Sequence, residues 1–152
     1  MIIIIILIIG LDQLTKFILN NNLVLNFPYP VIKGFFYLTL VHNRGAAFGI
    51  LKNQLLLFIL SSVFAITLIY FNLKKSRNKK KLSLNDLALG LILSGAIGNL
   101  IDRLFLGYVV DFLDFRVWPV FNVADSAITV GAVLLGWSLL KDFRKKSAVK
   151  KT

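Results

Sequence analysis

The chain has 152 residues, which at about 150 residues per domain reads as one domain over 1–152. Its 57% hydrophobic content and mean hydropathy of +0.79 exceed the roughly 45–50% apolar share of a soluble domain. With no cysteine, one histidine and seven acidic residues that are all Asp, disulfides, thiol nucleophiles and multi-histidine or Cys-ligated metal sites are excluded. No cofactor or metal is expected, and acid–base chemistry falls to Asp. The net charge of +11 is concentrated in two short blocks, a pattern that suits a membrane surface rather than a nucleic acid.

About 20 apolar residues are needed to cross a bilayer core of about 30 Å, and four segments approach this. They run from Ile2 to Leu19, Leu55 to Leu73, Leu87 to Leu106 and Val123 to Leu140. The first could pass for a secretory signal, but no basic residue precedes it and no small-residue cleavage site follows it. It is read as a permanent helix. The second is free of charge, whereas the others reach full length only by including Asp12 and Lys16, Asp102 and Arg103, and Asp125. Ionisable residues inside spans are costly, so these positions are the informative ones.

Lys74, Lys75, Arg77 and Lys79–Lys81 lie between the second and third helices, and a second basic block runs from Lys141 to Lys151. The positive-inside rule places both blocks, and hence both termini, in the cytoplasm. Residues 20–54 and 107–122 then face outward. The first of these holds a β-branched and aromatic run, Phe35 to Val41, behind Pro28, Pro30 and Gly34. It is expected to form a small strand-and-turn element on the outer surface, or a re-entrant segment.

In this topology the ionisable residues in and near the spans gather at one depth, toward the outer face. Each also has a plainer reading. Asp12 and Lys16 are an i,i+4 pair on one helix face, and Asn99, Asp102 and Arg103 are placed to tie helices together. Asn122 reads as an N-cap with Asp125 in the following first turn, where a carboxylate is favoured. The spacings Ser94/Gly98 and Ala127/Gly131 suggest close helix packing, and Gly45/Gly49 suggests tight turns. His42 reads as an interfacial polar residue.

Asp111 and Asp125 are 14 positions apart across a short outer connection containing Trp118-Pro119. Two carboxylates held together in a partly desolvated site share one proton near neutrality. Such a pair can activate water against a peptide carbonyl and protonate the leaving amine. Asp102 and Asp114 are rivals for either position.

Five motifs occur in order: Asp12-Gln13-Leu14-Thr15-Lys16, Asn43-Arg44-Gly45-Ala46-Ala47-Phe48-Gly49, Gly98-Asn99-Leu100-Ile101-Asp102-Arg103, Val109-Val110-Asp111-Phe112 and Phe121-Asn122-Val123-Ala124-Asp125-Ser126. Through them the chain resembles the signal peptidase II family, the intramembrane aspartyl peptidases of bacterial lipoprotein processing. The resemblance implies Asp111 and Asp125 as the catalytic pair. It implies Asp12, Lys16, Asn43, Gly45, Asn99, Asp102, Arg103 and Asn122 as residues that shape the pocket or hold substrate and pair. It further implies a membrane all-α fold of four transmembrane helices with an extracytoplasmic β-cradle and a loop over the site. The expected protein is a multi-pass monomer of the bacterial cytoplasmic membrane with its site toward the outer face. Its partners are membrane lipid and a prolipoprotein cut before a diacylglyceryl-modified cysteine. The short N-terminus departs from the family pattern. The alternatives are a small proton or ion transporter, which would need polar groups through the whole membrane depth, and a non-enzymatic scaffold.

Overall fold

The computed structural model describes residues 1–45, 54–76 and 83–149. Its elements in chain order are α1 (Ile2–Asn22), β1 (Pro28–Ile32), β2 (Phe36–Asn43), α2 (Leu55–Ser76), α3 (Leu84–Phe105), β3 (Val109–Asp114) and α4 (Val123–Val149). All four helices are long and apolar enough to cross a membrane. At 1.5 Å per residue, the 21 residues of α1 extend about 32 Å, one hydrocarbon thickness. Their outward faces carry exposed Ile, Leu, Val and Phe, the surface that lipid satisfies.

Small residues bring α3 against its neighbours. A Cβ on Gly131 of α4 would stand 2.7 Å from the Ala88 carbonyl oxygen of α3, and one on Gly98 would stand 2.6 Å from Asp12 Oδ2 of α1. Without a hydrophobic force between helices in lipid, close backbone approach of this kind is what holds spans together. Ser94, at the same seam, donates to the Gly90 carbonyl oxygen 2.9 Å away on its own helix. The expected packing role of the small-residue spacings is met there. Gly49, along with Ala46 to Phe48, lies outside the described residues.

The third helix starts at Leu84 rather than Leu87, because Ser83 and Asp86 form a capping box: the Ser83 hydroxyl accepts from the Asp86 amide, and the Asp86 carboxylate accepts from the Ser83 amide. Asp86 is buried at the end of α3 remote from the sheet. The gathering of charges at one depth therefore has an exception with a local cause, a helix start. The fourth helix continues past Leu140 to Val149, since the basic residues beyond the apolar stretch do not interrupt helical backbone.

One antiparallel sheet, ordered β1-β2-β3, covers the bundle end where α1 and α3 finish and α2 and α4 begin. Phe35 to Val41 falls in β2 and its preceding turn, as the residue pattern predicts, and Gly34 takes φ +80° in that turn. Pro28 and Pro30 lie in edge strand β1, where a missing N–H costs no central ladder bond. The strand that residues 107–122 contribute was not expected. Val109–Asp114 is almost wholly buried between β2 and the bundle. Phe121 returns to pair with Leu113, closing the connection over the start of α4.

Candidate active site

Strand alternation sorts the acidic residues of β3. Successive side chains point to opposite faces, so Asp111 and Asp114 diverge. The Asp114 carboxylate accepts from the Thr39 hydroxyl at 2.7 Å and from the Arg116 amide at 2.9 Å, which fixes the turn after β3. Asp111 faces the bundle. Val41 is its register partner on β2, and Val109 pairs with Asn43; Asn43 is therefore the diagonal neighbour of Asp111 on the same face. Its amide donates to Asp111 Oδ2 at 2.9 Å.

Helix α4 starts directly beneath. Asn122 is its cap, its Oδ1 accepting from the Asp125 amide at 2.8 Å. The same side chain's Nδ2 donates to Asp111 Oδ1 at 2.7 Å, to the Asn99 Oδ1 at 3.1 Å and to the Val110 carbonyl oxygen at 3.2 Å. One buried amide thus orients the first turn that carries Asp125 and also grips Asp111. Capping and site assembly are the same interaction.

A second amide, Asn99 of α3, aims at the other carboxylate. Its Oδ1 accepts from Lys16 Nζ at 3.0 Å and its Nδ2 donates to Asp125 Oδ1 at 2.7 Å. A cation that can only donate fixes which end of the amide faces away from it. Lys16, 3% exposed, sits 2.8 Å from Asp12 and 2.9 Å from Asp102, a charge buried only because it is paired on both sides.

Each acid of that cluster also secures backbone. Asp12 Oδ1 accepts from the Ala124 amide at 2.8 Å, so a carboxylate on α1 caps α4 from outside, where the helix dipole favours it. Asp102 Oδ2 accepts from the Val110 amide at 3.0 Å, fastening β3 to α3. Asp102 is thereby engaged with Lys16 and β3, and Asp114 with Thr39 and the turn that follows β3. Gln13 completes the cluster by donating to Asp102 Oδ1 at 3.0 Å, to Asp12 Oδ2 at 3.1 Å and to the Gly98 carbonyl oxygen at 3.2 Å. Gln13, an amide in the middle of an apolar span, is the member of this cluster that the motif spacing does not single out.

Asp111 and Asp125 both line a cavity of about 260 Å³, together with Asn43, Gly45, Asn99 and Arg103. Asp12, Lys16, Asp102 and Asn122 lie behind this wall. Gly45 donates its amide to Asn43 Oδ1 at 2.9 Å. The Arg103 guanidinium sits over the Phe58 ring of α2 at 5.1 Å, a cation–π contact. Burial, and next the Asp125 charge, push the Asp111 carboxyl up to about 7, against the pull of hydrogen bonds from Asn43 and Asn122 and the Lys16 charge. The carboxylate therefore retains affinity for a proton near neutrality.

His42 faces elsewhere. Burial, and then the Arg44 charge, pull its imidazole below the usual value. It hydrogen-bonds Asn20 Oδ1 at 2.8 Å and stacks on Tyr108 at 4.0 Å, joining α1, β2 and the α3–β3 turn. Among the described residues, no group of three His, Cys, Asp or Glu side chains is placed to hold a metal ion.

Comparison with known proteins gives a consistent answer. The family model described as signal peptidase (SPase) II matches residues 4–141. The lipoprotein signal peptidase of Caldanaerobacter subterraneus subsp. tengcongensis is 52% identical over 141 residues, covering 91% of this chain and 94% of that one. That of Clostridioides difficile is 49% identical over 136 residues, covering 88% and 90%. A solved bacterial membrane enzyme is 34% identical with a TM-score of 0.87, covering 95% of this chain and 90% of its own. A family match along nearly the whole chain, carried on the same four-helix and sheet framework, leads to one conclusion: this chain belongs to the signal peptidase II family.

Proposed function

We propose that the protein is an aspartic endopeptidase that removes signal peptides from diacylglyceryl-modified prolipoproteins, with Asp111 and Asp125 as its catalytic pair. The observation that supports this most is the placement of two carboxylates in one cavity, each held by its own amide donor, Asn43 and Asn122 on Asp111 and Asn99 on Asp125. The pair holds one proton near neutral pH, consistent with Asp111 at about 7, and titrates as a unit. The ionised member takes a proton from water as the oxygen attacks the scissile carbonyl. The protonated member hydrogen-bonds the carbonyl oxygen as it becomes an oxyanion, and the leaving amine then collects a proton from the pair.

The depth of the site suits such a substrate. A lipid-modified precursor remains in the bilayer with its scissile bond near one surface, and the cavity opens at the sheet-covered end of the bundle. In the proposed orientation this end faces away from the cytoplasm and both termini lie inside, following the basic residues between α2 and α3 and at the end of α4. The protein works as a monomer in the bacterial cytoplasmic membrane. Asp12, Lys16, Asp102 and Asn122 position the pair, while Asn43, Gly45, Asn99 and Arg103 face the substrate.

The test is cleavage of a purified diacylglyceryl-modified precursor in detergent micelles. The wild-type protein is expected to release the signal peptide. Asp111→Asn and Asp125→Asn are each expected to abolish release while retaining wild-type membrane insertion and thermal unfolding. Near-normal turnover by either folded variant overturns the assignment.

A further inference from the structure

The cavity that holds the carboxylate pair encloses about 260 Å³, below the roughly 300–1,000 Å³ of a pocket for a drug-sized ligand. It has space for the peptide around a scissile bond but not for two acyl chains as well. Chains attached to a residue seated there must leave over the rim. On one side that rim is the turn between β3 and α4, where Val117 is 90% and Trp118 62% exposed, and Trp118 itself lines the cavity.

Local contacts hold the turn in this display. Arg116 adopts φ +66°, a left-handed conformation uncommon for residues other than glycine. Local contacts stabilise it: its amide donates to Asp114 Oδ1 at 2.9 Å, its Nε stands 3.8 Å from the Asp114 carboxylate, and its guanidinium stacks over Tyr37 at 3.8 Å. Asp114 is in turn held by the Thr39 hydroxyl. Strained backbone persists where surroundings over-determine it and where it serves a site; here it turns an isopropyl group and an indole outward at the cavity mouth. An indole is suited to the boundary between hydrocarbon and water.

We propose that Val117 and Trp118 form a lip that binds the acyl chains of the substrate's lipid-modified residue, so that this turn makes the enzyme selective for long-chain lipidation. The inference rests on the proposed peptidase reading. Membrane lipid alone, or the apolar segment of the signal peptide, are the competing occupants, and acyl-chain length separates them from the substrate's own chains.

Two measurements test it. In the first, kcat/KM is determined for precursors carrying dipalmitoyl or dibutanoyl glycerol on the cysteine. Trp118→Ala is expected to raise KM for the long-chain precursor about ten-fold more than for the short-chain one; Trp118→Phe restores most of that difference. An equal loss for both precursors indicates a general membrane anchor or a signal-peptide contact and overturns the proposal, as does no loss at all. In the second, Asp111→Asn/Trp137→Phe leaves Trp118 as the one tryptophan of the two in the chain. A precursor with brominated acyl chains, added to vesicles of unbrominated lipid, is expected to quench its fluorescence saturably. A Trp118→Phe/Asp111→Asn protein, which retains Trp137, shows no such quenching. Absence of saturable quenching of Trp118 also overturns the proposal. Failure of the wild-type protein to cleave either precursor counts against the peptidase reading itself, whereas cleavage without chain-length selectivity counts only against the lip.

Discussion

Asn43→Ala removes the amide that donates to Asp111 Oδ2 at 2.9 Å. The proton affinity of Asp111 is a balance in which burial and the Asp125 charge win against two amide donors and Lys16, leaving it at about 7. A hydrogen bond to a charged group contributes about 1.5–3 kcal/mol, and about 1.36 kcal/mol corresponds to one pH unit. This donor favours the ionised form, so its loss is expected to raise the acid by about 1–2 pH units. In a kcat/KM profile, the falling limb marks departure of the last proton from the pair. It is expected near 7 in the wild type and at about 8–9 in Asn43→Ala. Displacing Gly45, whose amide Asn43 also accepts, lowers the height of the profile without moving the limb. A limb that stays within about 0.3 pH units of the wild type refutes the proposed role of this hydrogen bond. Stability follows the same chemistry. Asp111 binds its proton more tightly folded than unfolded, so its contribution to stability falls as pH rises from the ordinary 3.8 through about 7 and is constant above.

Asp102→Asn leaves Lys16 with one acid instead of two and weakens the hold on the Val110 amide; a loss approaching the roughly 3–5 kcal/mol of a broken buried pair is expected in detergent unfolding, and unchanged stability refutes it. Asp114→Ala removes the acceptor for Thr39 and the Arg116 turn and is expected to cost about 1–3 kcal/mol of stability while retaining cleavage of the short-chain precursor. Complete loss of that cleavage in a folded Asp114→Ala protein would return Asp114 to candidacy for the chemistry.

The four spans were legible because hydrophobic length against a bilayer is a one-dimensional property. The i,i+4 contact of Asp12 with Lys16 and the cap at Asn122 were legible because both are local. The β3 strand was not legible, although Val109-Val110-Asp111-Phe112-Leu113 is an apolar, β-rich run after Gly107; buried on both faces, it lacks the alternation that marks a half-exposed strand. Asp86 was not legible as a helix start because hydropathy finds the apolar middle of a helix rather than its capping box.

Tertiary structure decided how the acids divide their work. By spacing Asp111 and Asp125 were the leading pair, with Asp102 and Asp114 as rivals for either place. Strand parity turned Asp114 away, and Lys16 with the Val110 amide claimed Asp102. Asn99 and Asn122 reached across three elements to hold Asp111 and Asp125 in one cavity. Composition and spacing determine which residues a membrane chain has available and roughly at what depth. Which carboxylates face one another depends on side-chain directions and on hydrogen bonds between distant segments, and those exist only once the helices and sheet have packed.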